Sequence, residues 1–146
     1  MSLVESLQSV LNERIPLTKT LELKVEEASS RVVLFAPLAA NINHLDTAFG
    51  GSLYSLAVLA GWSWIWAQLH EQGLQGQIMI RSSEIDYHGP IKSDFRAICE
   101  GIQVSDWERA LRSLERRGMA KISLQSWVES QGNCEVIFQG DYAILR

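Results

Sequence analysis

Cysteine is nearly missing from this 146-residue chain, and its two thiols, Cys99 and Cys134, show no metal-ligand spacing. Each alternates with polar neighbours, which predicts two reduced core residues. An excess of positive charge is missing too. Lys and Arg number 13 against 17 Asp and Glu, a formal charge of −4, so the chain as a whole has no field that would attract nucleic acid. The opening residues Met1-Ser2-Leu3-Val4-Glu5 contain neither a basic stretch nor an apolar run of signal-peptide type. Secretion is therefore not expected, and a cytoplasmic location is. Internal repeats, low-complexity tracts and linkers are also lacking, which predicts a single domain over residues 1–146. That length buries a core without disulfides or metal.

Charge itself goes missing in one place. The 23 residues from Thr47 to Leu69 carry none, a length that would cross a bilayer. Ser52, Tyr54, Ser55, Ser63, Gln68 and three glycines punctuate the run, and no basic cluster flanks it, so no membrane span is expected. A helix apolar on every side also suits the buried centre of a soluble fold.

The rest of the chain supplies walls for such a helix. Ser2 with Glu5 forms a capping box, and Leu3, Leu7, Val10 and Leu11 then repeat at helical spacing up to Pro16. From Thr20 the period becomes two, with Leu21, Leu23 and Val25 on one face, and Arg31 to Ala36 reads as a second strand closed by Pro37. A polar loop from Leu38 to Phe49 leads to Gly50-Gly51-Ser52, where the uncharged helix opens; it ends near Gly73. Four strands follow: Gln77 to His88, Asp94 to Ile102, Met119 to Glu129, and Cys134 to Leu145. Between the middle two, Ser105-Asp106-Trp107-Glu108 reads as another capping box, leading a short helix through Arg117. An antiparallel sheet wrapped around one very apolar helix satisfies both patterns, an α+β arrangement.

Three stretches carry a family likeness: Asn41-Ile42-Asn43-His44-Leu45-Asp46-Thr47-Ala48-Phe49-Gly50-Gly51-Ser52-Leu53, the strand end Ile85-Asp86-Tyr87-His88-Gly89-Pro90, and the arginine-bearing insertion. Together they resemble the thioesterase-like hot-dog family, whose members occur alone or behind an acetyltransferase-like domain. The resemblance implies a hot-dog fold, pairing as a homodimer or dimer of dimers, and a site at the subunit boundary. It implies no cofactor of the protein's own, because the substrate brings coenzyme A or 4'-phosphopantetheine, on acyl-CoA or on acyl carrier protein. Some members look like malonyl-acyl-carrier-protein decarboxylases that supply acetyl primers for fatty-acid synthesis. The phenylacetyl-CoA type of hot-dog thioesterase carries N-x-x-G-x-x-H-G-G and then a carboxylate early in the helix. Here Asn43, Gly50 and Gly51 match, but Phe49 stands at the histidine position, Asp46 at the glycine, and the carboxylate would fall near Val58.

That pattern constrains the chemistry. Any reaction at a thioester carbonyl needs donors for negative charge on its oxygen, and backbone N–H groups at a glycine-lined helix start provide them. Hydrolysis also needs a base for water; decarboxylation of a malonyl thioester needs only the donors and a water-poor pocket. Asn43 and Gly51 are the expected donors, with Asn43 alternatively a turn residue bonding its own loop. His44 and Asp46 are the candidate bases near the loop, or solvated loop residues. Thr47 and Ser52 cap the helix or touch substrate, beside Phe49 and Gly50, while Tyr54 and Tyr87 line the acyl pocket or the core. No metal set arises from His44, Asp46 and His88. Trp62, Trp64 and Trp66 are core or dimer contacts. Arg109, Arg112 and Arg116, with Arg117 beside them, share one face of the insertion helix. They dock phosphates or an acidic carrier protein, or form a solvated face with Glu108 and Glu115. The expectation is a malonyl-thioester decarboxylase; the alternatives are an acyl-CoA or acyl-carrier-protein thioesterase and a non-catalytic acyl-thioester binding module.

Overall fold

A computed structural model describes all 146 residues, Met1–Arg146. The chain opens with α1 (Leu3–Arg14), whose start is held by the Ser2 hydroxyl accepting the Glu5 amide. Next, Pro16 starts a single helical turn, α2 (Leu17–Thr20). The strand expected from Thr20 therefore begins later, as β1 (Lys24–Ala28). Proline's fixed φ favours a helical turn, and the left-handed Glu22 (φ 54°) breaks the extended run. Leu21 and Leu23 stay buried all the same.

The remaining elements are β2 (Val32–Ala36), α3 (Gly50–Glu71), β3 (Gln77–Tyr87), β4 (Phe95–Cys99), α4 (Val104–Arg117), β5 (Met119–Ser130) and β6 (Asn133–Leu145). The strands form one antiparallel sheet in the order β1-β2-β4-β5-β6-β3. This sheet wraps around α3, which touches every strand. Eleven residues of α3 are buried, from Leu53 to Leu69, so the uncharged run is the core of the protein. No helix is long and apolar enough to cross a membrane.

Helix α3 lies along the edge strand β3. At its start the Tyr87 hydroxyl donates to the Gly50 carbonyl (2.9 Å), and farther along the Trp62 indole donates to Ile78 O (3.3 Å). The two ends of the sheet are therefore distinct. Tyr87, Val136 and Val128 share the end that meets the start of α3, while Gln77, Leu145 and Met119 share the other.

Helix α4 starts one residue before the expected capping box. Gln103 is the N-cap and offers no side-chain bond, so Ser105 falls inside the first turn and caps nothing. Trp107 packs edge-to-face on Trp64, with centroids 5.5 Å apart. Strand β4 pairs with β5 only over Arg96–Ile98, so the first residues of β5 have α4 where a strand would otherwise lie.

The two cysteines differ. Cys99 is buried, and burial pushes its thiol up to about 11. Cys134 is exposed, contrary to expectation: it lies beside the β5–β6 turn, where the register shifts after Val128 and the inward row runs out past the core. A thiol reagent at pH 8 should thus modify one cysteine rapidly and the second only on unfolding. Rapid modification of both would contradict the placement of Cys99.

Candidate active site at the start of the central helix

The loop before α3 is closed by a bridge between Ile42 and Ala48. Asn43 organises its interior. Its Oδ1 accepts the amides of Leu45 (2.9 Å) and Thr47 (3.1 Å), and its own amide donates to Thr47 O (2.8 Å). Those acceptances fix the orientation of the carboxamide, so Nδ2 is the donor toward Thr47 Oγ1 at 2.9 Å. An amide NH₂ has two hydrogens, and the second has no protein partner. Asn41, read from sequence only as a polar loop residue, is a buried brace: its Nδ2 donates to Leu21 O and Pro37 O.

Helix α3 begins without a side-chain cap, its N-cap being Phe49. Neither Thr47 nor Ser52 caps it, because Thr47 is spent on Asn43 and Ser52 lies within the first turn. The Ser52 and Leu53 amides turn back to Phe49 O (3.0 and 3.1 Å). The Gly50 and Gly51 amides donate to no protein group, leaving two oriented donors at the positive end of a 22-residue helix. The Phe49 ring occupies the space where a side chain on Gly51 would sit, which explains glycine there.

Tyr87 and Tyr54 have defined tasks. Tyr87 pins the helix start through Gly50 O while its ring remains half exposed; its hydroxyl is shifted upward, first by burial and then by neighbouring Tyr54. Tyr54 bonds Ser83 Oγ at 2.7 Å and packs edge-to-face on Phe138. His44 and Asp46 are exposed and form neither hydrogen bonds through their side chains nor an ion pair; Asp46 has a left-handed backbone (φ 61°). The only carboxylate and the only imidazole on α3, Glu71 and His70, stand at its far end. Ile42, Leu45 and Phe49 expose apolar surface around the loop, a feature the polar reading of the segment missed. No cluster of three metal-ligating side chains is present.

The arginines assemble elsewhere. Arg109, Arg112, Arg116 and Arg117 line a groove of about 730 Å³ between α4 and the start of β5, joined by Lys121 and one acid, Asp106. Asp106 stands 3.5 Å from Arg109. Glu108 and Glu115 are not in the lining. Lys121 escaped notice because alternation marks it only as outward-facing. Since Met119 begins β5, this groove lies at the opposite end of the sheet from Asn43 and Gly51.

A sheet wrapped round one apolar helix, with the loop-and-glycine motif at its start, defines a hot-dog protein. This chain belongs to the family whose model is described as "Putative thioesterase (yiiD_Cterm)", matched over residues 4–146. Solved structures agree. A protein of unknown function from Chlorobaculum tepidum is 29% identical, with a TM-score of 0.93 over 99% of this chain and 94% of that one. A putative thioesterase from Shewanella oneidensis is 25% identical, TM-score 0.84, covering 99% and 98%. A probable thioesterase from Pseudomonas aeruginosa, 21% identical with a TM-score of 0.83 over 97% and 94%, shares the fold.

Proposed function

We propose that this protein acts on acyl thioesters and that its favoured reaction is decarboxylation of a malonyl thioester to the acetyl thioester. One observation carries the reading: unpartnered oxyanion donors stand at the start of a helix that bears no carboxylate there. The Gly50 and Gly51 amides are free, and Asn43 holds a spare N–H in the loop leading into them.

The chemistry needs little more. The bond between the malonyl α-carbon and its carboxylate breaks, carbon dioxide leaves, and the electron pair moves into the thioester as an enolate. Asn43 and Gly51 stabilise the enolate oxygen, and a solvent-derived proton then adds to carbon. A carboxylate on the first turns of the helix would repel the malonyl group; here those turns carry none. The apolar residues Phe49, Ile42 and Leu45 disfavour a hydrated carboxylate, which promotes loss of carbon dioxide.

The family description favours a second reading, hydrolysis; its base would be Asp46 or His44, the acidic and imidazole side chains exposed on the loop before α3. A functional dimer belongs to the proposal. Strand β3 is an 11-residue edge without proline, exposing Met79 and Ile80, and self-pairing would cover it. Measuring carbon dioxide and free thiol side by side tests the reaction. With malonyl-acyl carrier protein, the expected result is carbon dioxide release with little thiol; thiol released in step with consumption would establish hydrolysis instead.

A further inference from the structure

The basic groove of α4 lies far from the site of its own subunit, and the sheet register shows how far. Lys121 pairs with Ala143, and Ala143 with Met79, so the groove stands level with Met79. The start of α3 stands level with Tyr87. Eight residues of strand separate these levels, about 26 Å, and the two strand spacings from β3 to β5 add about 10 Å sideways. In the dimer proposed above, taking the pairing of two β3 edges to be antiparallel and centred on the strand's midpoint, Ser82, would reverse the relation. The partner's Met79 would then face Ile85, about 7 Å along the strand from Tyr87, and the partner's β5 would lie three strand spacings away, about 14 Å.

We propose that the α4 groove of each subunit docks an acidic carrier protein whose thioester is processed at the α3 site of the other subunit. This rests on the functional reading and the dimer proposed above. The groove's chemistry favours a protein over coenzyme A. Arg109, Arg112, Arg116 and Arg117 are strung along two turns of an open helix face, about 12 Å, which suits a row of carboxylates better than one compact nucleotide. Only Asp106 opposes them within the groove.

The test is a heterodimer isolated through two different tags, one subunit carrying Asn43→Asp and the other Arg112→Glu with Arg116→Glu. Service in trans leaves one complete site, so malonyl-acyl carrier protein is turned over at about half the wild-type rate per dimer. Service in cis leaves none, and a rate no higher than that of the two parental homodimers overturns the proposal. On the arginine homodimer, the loss with carrier-borne malonyl should exceed the loss with malonyl-CoA by about tenfold or more. Equal losses overturn protein docking. Fluorescence anisotropy with labelled acyl carrier protein needs no turnover: binding to the Asn43→Asp homodimer must fall when the arginine changes are added, and unchanged binding also overturns docking. If the wild-type protein turns over neither thioester, the functional reading fails and service in trans falls with it, whereas docking is still judged by anisotropy.

Discussion

Replacing Asn43 by aspartate is expected to lower kcat on a malonyl thioester by about 10²–10³-fold, the usual cost of one oxyanion donor, while leaving the fold intact. The substitution separates the residue's two tasks. Asn43 Oδ1 accepts the Leu45 and Thr47 amides, and a carboxylate oxygen accepts them equally well, so the loop keeps its shape. The spare N–H is lost, and a negative charge takes its place beside the enolate oxygen. Asn43→Ala removes the loop bonds as well and should cost stability in addition to rate. Steady-state rates with thermal melting distinguish the two variants. An Asn43→Asp protein with wild-type kcat would show that the residue serves only its own turn.

The largest effect on stability is expected at Gly101. It has a left-handed backbone (φ 76°), and a side-chain carbon there would run into the Trp64 indole. Trp64 has little freedom to retreat. Its Nε1 donates to Ser30 O at 3.0 Å, and Trp107 of α4 packs against it edge-to-face. Gly101→Ala therefore combines a left-handed penalty of about 1–2 kcal/mol with overpacking of about 1–3 kcal/mol. A loss of about 2–5 kcal/mol in urea unfolding follows, and the displaced Trp64 would disturb the seat of α4 and its groove. A variant as stable as the wild type would mean that the Trp64–Trp107 contact is looser than described.

The sequence made the frame legible because its two periods are strong. The uncharged run is α3, and the alternation of Ala120, Ile122 and Leu124 or of Val136 and Phe138 reproduces the inward faces of β5 and β6. Local rules failed where a neighbour decides the outcome. Cys134 keeps the inward parity of Val136, yet no core lies over it beside the turn. Ser105 has the spacing of a cap, but the helix is capped two residues earlier, at Gln103. In the loop before α3, the turn at Asn43 and the helix start at Gly50-Gly51 were readable from the loop pattern. The bond from Tyr87 to Gly50 was not, because it joins residues 37 apart through sheet curvature that no window of sequence contains. Likewise, Arg109, Arg112 and Arg116 could be grouped by helical spacing, whereas Lys121 joins them only through packing of α4 on β5.

The central claim is that oxyanion donors without a helix-borne base stabilise an enolate. Malonyl-acyl carrier protein incubated with the protein in D₂O, followed by mass analysis of the carrier, tests it most directly. The account predicts acetyl-acyl carrier protein with a deuterium in the methyl group, formed when the enolate takes its proton from solvent. Free carrier thiol together with malonate, and no acetyl product, would contradict the account and assign water activation to Asp46 or His44.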